Sequence, residues 1–429
     1  MNHAPDAARY TPRSVKLRLC GMMFLQYFVQ GAYLPIVAGY LTDTLGFSES
    51  NKGWFMAAIG AGPILAPLVV GQLVDRWFST ERVLAAFHFM SGLLMLALYK
   101  QTEFGPVVAI GTLYSVLYIP TTMLTNSLAF HHLRDRNADF PLVRLWGTIG
   151  FIVPAWFVGF YFLHDLPKAE VIQKQGIVFA VSGIGGLVMA LYCLTLPHTP
   201  PDRAISGKFA PGVVFELLRR REFSVLFGVS FFIAMAHQYY FNFNPSLVNG
   251  VLSRGGYESW AARFMTISQI TEIGAMTLLG TAIANLGYKR VLTIGAACYA
   301  LRCVLLAGAA TWPLGDGPAY AIAGFAQALH GFCFSFFLAA AFIYLDQASP
   351  PDVKGSMQTV YGVLVVGLGM VVGGIWGGWM GDRFTTGTGA DTVYDWNPIW
   401  LGCAGLAAVC TLVLAVAFPG DSQRINSER

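Results

Sequence analysis

Pro197-His-Thr-Pro-Pro-Asp-Arg203-Ala-Ile-Ser-Gly-Lys208-Phe-Ala-Pro211-Gly-Val-Val-Phe-Glu216-Leu-Leu-Arg219-Arg220-Arg221-Glu222 is the longest polar gap in a chain of 429 residues. It holds prolines and five basic residues, and long apolar runs fill the sequence on both sides of it. A bilayer-spanning helix needs roughly 20 apolar residues. Runs of that kind fall at about 17–41, 53–74, 83–100, 105–130, 142–163 and 177–196 before the gap. Those after it fall at about 224–249, 259–285, 291–310, 317–345, 355–380 and 397–418. The sequence thus divides into a six-helix half, 1–196, a linker, 197–222, and a second six-helix half, 223–429.

Composition agrees with an all-α membrane protein. Hydrophobic residues make up 55% of the chain and charged residues only 12%, with a mean hydropathy of +0.56, whereas ordinary soluble domains carry about 25% charge. A soluble enzyme, a nucleic-acid binder and a disordered scaffold are excluded. The net charge of +4 is too small to imply nucleic acid. All seven cysteines lie in apolar blocks without metal spacing, so no disulfide, metal or other cofactor is expected. The first apolar run is too long for a signal-peptide core and is expected to be retained as the first helix.

Lys and Arg collect in cytoplasmic loops. With the N-terminus inside, segments on that side hold 18 of the 27, seven fall outside, and Arg144 and Arg302 lie within or at the edge of spans. Both termini are therefore expected in the cytoplasm.

Six plus six helices is the arrangement of major facilitator transporters, whose substrate site lies between the halves near the midplane. The loop Gly71-Gln-Leu-Val-Asp75-Arg76 and its counterpart Gly287-Tyr-Lys289-Arg290 resemble the G-x-x-x-D-R-x-G-R-R loop of that superfamily. Glycine allows close helix approach, and Asp75 and Arg76 are expected to gate the cytoplasmic side, an ordinary positive-inside turn being the alternative. Gly378-Trp-Met-Gly381-Asp382-Arg383 repeats the spacing on the other side and reads as an interfacial anchor.

Ionisable residues deep in a span cost roughly 2.5–3.5 kcal/mol each on insertion scales and mark functional candidates. Glu272 is the carboxylate placed well inside a helix, with Gln269 three residues before it on the same face. Arg144, Thr148 and Phe151 share one stripe of the fifth helix. A hydrogen-bonded structural acid is the alternative for Glu272, and a snorkelling interfacial cation for Arg144. In the seventh helix Gln238 and Asn242 stand one turn apart near Pro245, as site amides or as interhelical glue. His237 reads as a packing residue. In the tenth helix Phe332-Cys-Phe334-Ser335-Phe336-Phe337 offers either a stacking platform or, for most of its rings, lipid-facing bulk.

Asp139-Phe140-Pro141-Leu-Val-Arg144-Leu-Trp146-Gly147-Thr148-Ile-Gly150-Phe151 resembles the D-F-P-x-x-R-x-W-G-T-I-G-F segment of the nucleoside:proton symporter family. Tyr118-Ile-Pro120-Thr121, Leu194-Thr195-Leu196-Pro197-His198 and Ile267-Ser268-Gln269-Ile-Thr271-Glu272 agree with it in order along the chain. The resemblance implies a cavity lined by Arg144, Thr148, Phe151, Gln238, Gln269 and Glu272 and bordered by Phe334; as a carboxylate in that cavity, Glu272 is expected to be the proton-coupling acid. Two departures stand out. The family carries an acid in the F-D-F-F segment where this chain has Ser335, and its helix 7 amides are spaced i, i+3 where Asn242 follows Gln238 at i+4.

A nucleoside joins a flat base to a hydroxyl-rich ribose, so its site needs rings, amides and few fixed charges. Gln238, Asn242, Gln269, Thr148, Ser335 and the neighbouring phenylalanines supply them. The reading is a non-enzymatic, proton-coupled importer of nucleosides working by alternating access. It is expected to be a monomer in the lipid bilayer, with a nucleoside and protons as its partners and no nucleic acid. A sugar or drug transporter of the same fold uses much the same residues, and a non-transporting membrane receptor is a further alternative.

Overall fold

A computed structural model of the chain describes all residues except 1–10, 66–76, 164–165, 167, 201–210, 351–352 and 421–429. Long apolar stretches have no water to satisfy their backbones in a bilayer, so they close their hydrogen bonds internally as helices. The spans are α1 (Arg13–Gly39), α2 (beginning Glu49–Ala58), α3 (Thr80–Leu98), α4 (Phe104–His132), α5 (Arg136–Tyr161) and α6 (Ile177–Cys193). After the linker come α7 (Arg221–Ser253), α8 (267–286), α9 (288–311), α10 (Asp316–Cys333, continuing to Ala348), α11 (Lys354–Phe384) and α12 (Trp396–Ala417). A two-residue hairpin, β1 (Thr385–Thr386) with β2 (Val393–Tyr394), joins α11 to α12.

Ten helices among the described residues are long and apolar enough to cross a membrane. One of them, Glu258–Thr311, holds two spans, because the helix is interrupted at Gly287 with φ 76° and ψ 164°. A positive φ suits glycine, which has no Cβ to clash. The expected loop around Gly287-Tyr288-Lys289-Arg290 is thus a one-residue joint. With α2, the described helices agree with the twelve expected.

Among the described residues π turns occur at Tyr40–Thr44 after α1, Phe334–Ala339 in α10 and Gly362–Gly367 in α11. Such turns concentrate at functional sites.

The chain groups into two compact units. One contains α1 up to Leu34 with α3, α4, α5 and α6. Its core includes Leu19, Met22, Leu84, Leu128, Met189 and Cys193. The other contains the end of α1 from Pro35, the start of α2, the short helix Lys168–Lys174 and α7 to α12. Its core clusters form around Leu226, Ile233, Tyr299 and Phe337, and around Tyr239, Phe243, Cys403 and Trp400.

Glycines set the tightest helix contacts, as expected where packing rather than water drives association. A Cβ on Gly331 of α10 would lie 2.5 Å from the backbone of Thr271 and Glu272 on α8. One on Gly295 of α9 would lie 2.7 Å from the backbone of Phe336 and Phe337. That approach buries Phe336 and Phe337 in the core, which corrects their reading as lipid-facing bulk. Because backbone cannot yield as a side-chain tip can, Gly331→Ala is expected to cost about 1–3 kcal/mol and to lower the thermal midpoint in detergent. Gly324→Ala, whose Cβ would meet the Phe264 ring at 3.4 Å and the tip of Ile267 at 3.9 Å, ordinary van der Waals contacts, is expected to leave it unchanged.

Candidate functional site

In the first unit the α5 motif packs on α1. Gly31 and Gly150 let the two backbones meet at Phe151 and Phe24. The Arg144 guanidinium lies 4.3 Å over the Tyr27 ring, a contact worth roughly 0.5–1 kcal/mol, more when desolvated. Arg144 makes no ion pair among the described residues and is half-buried, as are Thr148 and Phe151. Asp139, the first residue of the motif, holds the start of α5 to the start of α1. It takes Lys16 Nζ at 2.5 Å and the Thr11 hydroxyl at 2.8 Å.

The second unit holds the other candidates. Gln238 is buried and donates Nε2 to the Met56 carbonyl of α2 at 3.2 Å. Asn242 is fully buried and donates Nδ2 to the Gly374 carbonyl of α11 at 3.1 Å. In this conformation both amides tie helices together. Gln269 and Glu272 are half-buried on α8. Phe334 is half-buried and Ser335 fully buried, both in the π turn of α10, and Ser335 Oγ has no hydrogen-bond partner. The structure thus places Arg144, Thr148 and Phe151 together in one unit and the remaining described candidates in the other. Asp75 and Arg76 lie outside the described residues.

Several polar groups escaped the sequence reading. In the first unit Gln26 donates to Thr121 Oγ1 at 2.8 Å, meets His88 Nε2 at 2.9 Å and offers its backbone carbonyl to Tyr118. In the second, Gln327 of α10 is a hub. Its Oε1 accepts from the Tyr240 hydroxyl at 2.6 Å and Ser268 Oγ at 3.0 Å, and its Nε2 donates to Asn244 Oδ1 at 2.7 Å. This joins α7, α8 and α10 beside Gln269. The available signal was an amide in an apolar run, which must find partners in protein.

Asp382 corrects its reading as an interfacial anchor. It accepts from the backbone N–H of Ser50 at 3.1 Å and from the Ser50 hydroxyl, capping the first turn of α2. Gly53 packs on Gly374 and Gly378, where a Cβ would lie 2.6–2.7 Å from α11 backbone atoms. Beneath this cap Glu49 pairs with the fully buried Lys52 at 2.5 Å and accepts from the Tyr394 hydroxyl of β2 at 2.9 Å. Burial and the Glu49 carboxylate push the Tyr394 phenol well above its usual range, which keeps it a donor. Lys52 also lies 5.0 Å from the Phe243 ring centre.

Residues 13–423 match the family model of the nucleoside H+ symporters. The chain belongs to that family. The symporter relatives include the protein YegT of Escherichia coli (strain K12), 30% identical over 96% of this chain and 95% of that one. Nucleoside permease NupG of the same strain is 25% identical over 96% and 98%. The crystal structure of a mutant of nucleoside transporter NupG superposes with a TM-score of 0.84 at 23% identity, covering 94% of this chain and 100% of that one. The symporter therefore has the major facilitator fold expected from its 6+6 pattern.

Removing a cap costs typically about 1 kcal/mol. Asp382→Ala is accordingly expected to raise amide hydrogen exchange in the first turn of α2 about fivefold, with Ser50→Ala raising it less. Unchanged exchange would show that the glycine packing alone holds α2 to α11.

Proposed function

We infer that this protein imports nucleosides together with protons by alternating access. The family match across residues 13–423 carries that reading, and the site chemistry supports it. Arg144, Thr148, Phe151, Gln238, Asn242, Gln269, Phe334 and Ser335 supply the rings, amides and hydroxyls that a neutral nucleoside requires. The halves 1–196 and 223–429 are the moving bodies, and Asp75 and Arg76 gate the cytoplasmic side.

The Lys and Arg asymmetry places both termini in the cytoplasm, in a bacterial inner membrane where the protein works as a monomer. It also puts the Ser50–Asp382 cap on the exterior. Parting of α2 from α7 then frees Gln238 from Met56, and parting of α7 from α11 frees Asn242 from Gly374, for substrate. A ligand shifts this equilibrium only by binding the two states unequally, and amides that trade a helix carbonyl for a nucleoside edge provide the difference.

Glu272 carries the proton. Inward movement of one charge gains roughly 2.3 kcal/mol per 100 mV of membrane potential, enough for about fortyfold accumulation. Ser335 removes the second acid that the family resemblance leads one to expect, so Glu272 works without it.

Cells making the protein are expected to show saturable uptake of labelled uridine or adenosine that unlabelled nucleosides inhibit and glucose does not. Competition by glucose alone would replace the nucleoside with a sugar. Glu272→Gln keeps shape and removes titration, so it is expected to abolish proton-driven accumulation while nucleoside exchange across the membrane continues. Continued accumulation in that variant under a pH gradient would move the coupling acid elsewhere.

A further inference from the structure

Arg302, at the centre of α9, is fully buried, and no carboxylate lies within ion-pair distance of it among the described residues. A permanent charge in that position is costly unless something answers it. Aromatic faces answer part: the guanidinium carbon sits 3.9 Å from the Tyr240 ring centre and 4.9 Å from that of Tyr299. The remaining contact is with His330 of α10, whose Nδ1 lies 2.6 Å from Arg302 Nη1. Nε and Nη2 have no hydrogen-bond partner among the described residues.

A guanidinium donates and never accepts. His330 Nδ1 must therefore be the acceptor, which makes the imidazole neutral with its proton on Nε2. A second proton on the ring would aim an N–H at an N–H and set two like charges within hydrogen-bond distance. The next ring is tied to this one by stacking, and its own hydrogen bond goes to a hydroxyl that can donate or accept. His237 stacks on His330 at 5.5 Å and 28°, and its Nδ1 lies 2.9 Å from the Tyr299 hydroxyl. Tyr240 covers His330 at 5.4 Å.

The charged and titratable groups bearing on His330 include Arg302, His237 and Tyr240, and those around Arg302 include Tyr240, Tyr299, His237, Cys298, Cys303, Cys333 and Cys403. From α8 the backbone of Thr271 and Glu272 packs against Gly331, the residue after His330. Tyr240 continues through its hydroxyl to Gln327, and so to Ser268 beside Gln269.

We propose that Arg302 is a positioning residue for proton coupling: its hydrogen bond holds His330 unprotonated and its charge opposes a proton on the His237 stacked there, so that the transported proton is never held in this cluster. Histidine is the side chain whose ordinary titration spans physiological pH, and two of them in one half of a symporter would otherwise compete with a carboxylate for the coupled proton. Arg302 removes that competition while its stack on Tyr240 aligns the Gln327 network.

The inference rests on the proton-coupled reading above, so its primary test is independent of transport. Hydrogen–deuterium exchange at the imidazole C2 position, followed by mass spectrometry on purified protein in detergent, reads each histidine's titration. Neither His330 nor His237 is expected to titrate between about pH 5 and 8. In Arg302→Met at least His330 is expected to begin titrating there, and in Arg302→Lys, which keeps the cation, both are expected to stay silent. Titration of either histidine in the unaltered protein, or continued silence of both in Arg302→Met, would overturn the proposal. Should Arg302→Met fail to fold, His330→Asn and His237→Asn decide through the pH profile of nucleoside uptake. The profile is expected to keep its shape in both, and a displaced midpoint in either overturns the assignment. Absence of nucleoside uptake with silent histidines would instead count against the transport reading alone.

Discussion

Everything polar in this protein is governed by the lack of water in the bilayer, which obliges each buried amide, hydroxyl or charge to find its partner within the protein. Gln327 shows the constraint in its fullest form, because one side-chain amide takes up hydroxyls and an amide from two neighbouring helices. Gln26 performs the same service in the first unit. These contacts do more than satisfy groups. A leucine stripe permits helices to slide and rotate, whereas a converging set of hydrogen bonds fixes their register, and a site assembled from several helices depends on that register.

The same constraint explains why two of the site amides are engaged with backbone. A buried amide that is to meet a substrate is costly to leave unsatisfied while it waits. Gln238 and Asn242 rest on carbonyls of α2 and α11, in a region where glycines bring backbones close enough to be reached. The alternative readings of these amides, interhelical glue and substrate contacts, are thus compatible: each would be one phase of a cycle.

Spans, linker and the α5 motif were legible because they are local: apolar length, polar gaps and a thirteen-residue pattern need no knowledge of packing. The function of Asp382 was not, since its partner Ser50 lies 332 positions away and a G-x-x-x-D spacing looks alike at either membrane face. Arg302 was legible only as a cation within or at the edge of a span, and the Tyr240 and Tyr299 faces reveal how its charge is tolerated. Phe336 and Phe337 looked like lipid-facing bulk because a run of phenylalanines has no polar face to orient it. Their burial follows from a glycine on α9. Ser335 was legible as a departure, while its lack of a hydrogen-bond partner is a property of the fold alone.

Gly287 leaves α8 and α9 with no slack between them. Where most neighbouring spans are separated by a loop that absorbs changes in length, this pair has a single residue. A one-residue insertion there would rotate the following helix by about 100°, turning Tyr299 and Arg302 away from the histidines they meet. The joint is therefore a fixed ruler, and lineages of this protein should vary in length at the β1–β2 hairpin while holding the α8–α9 junction constant.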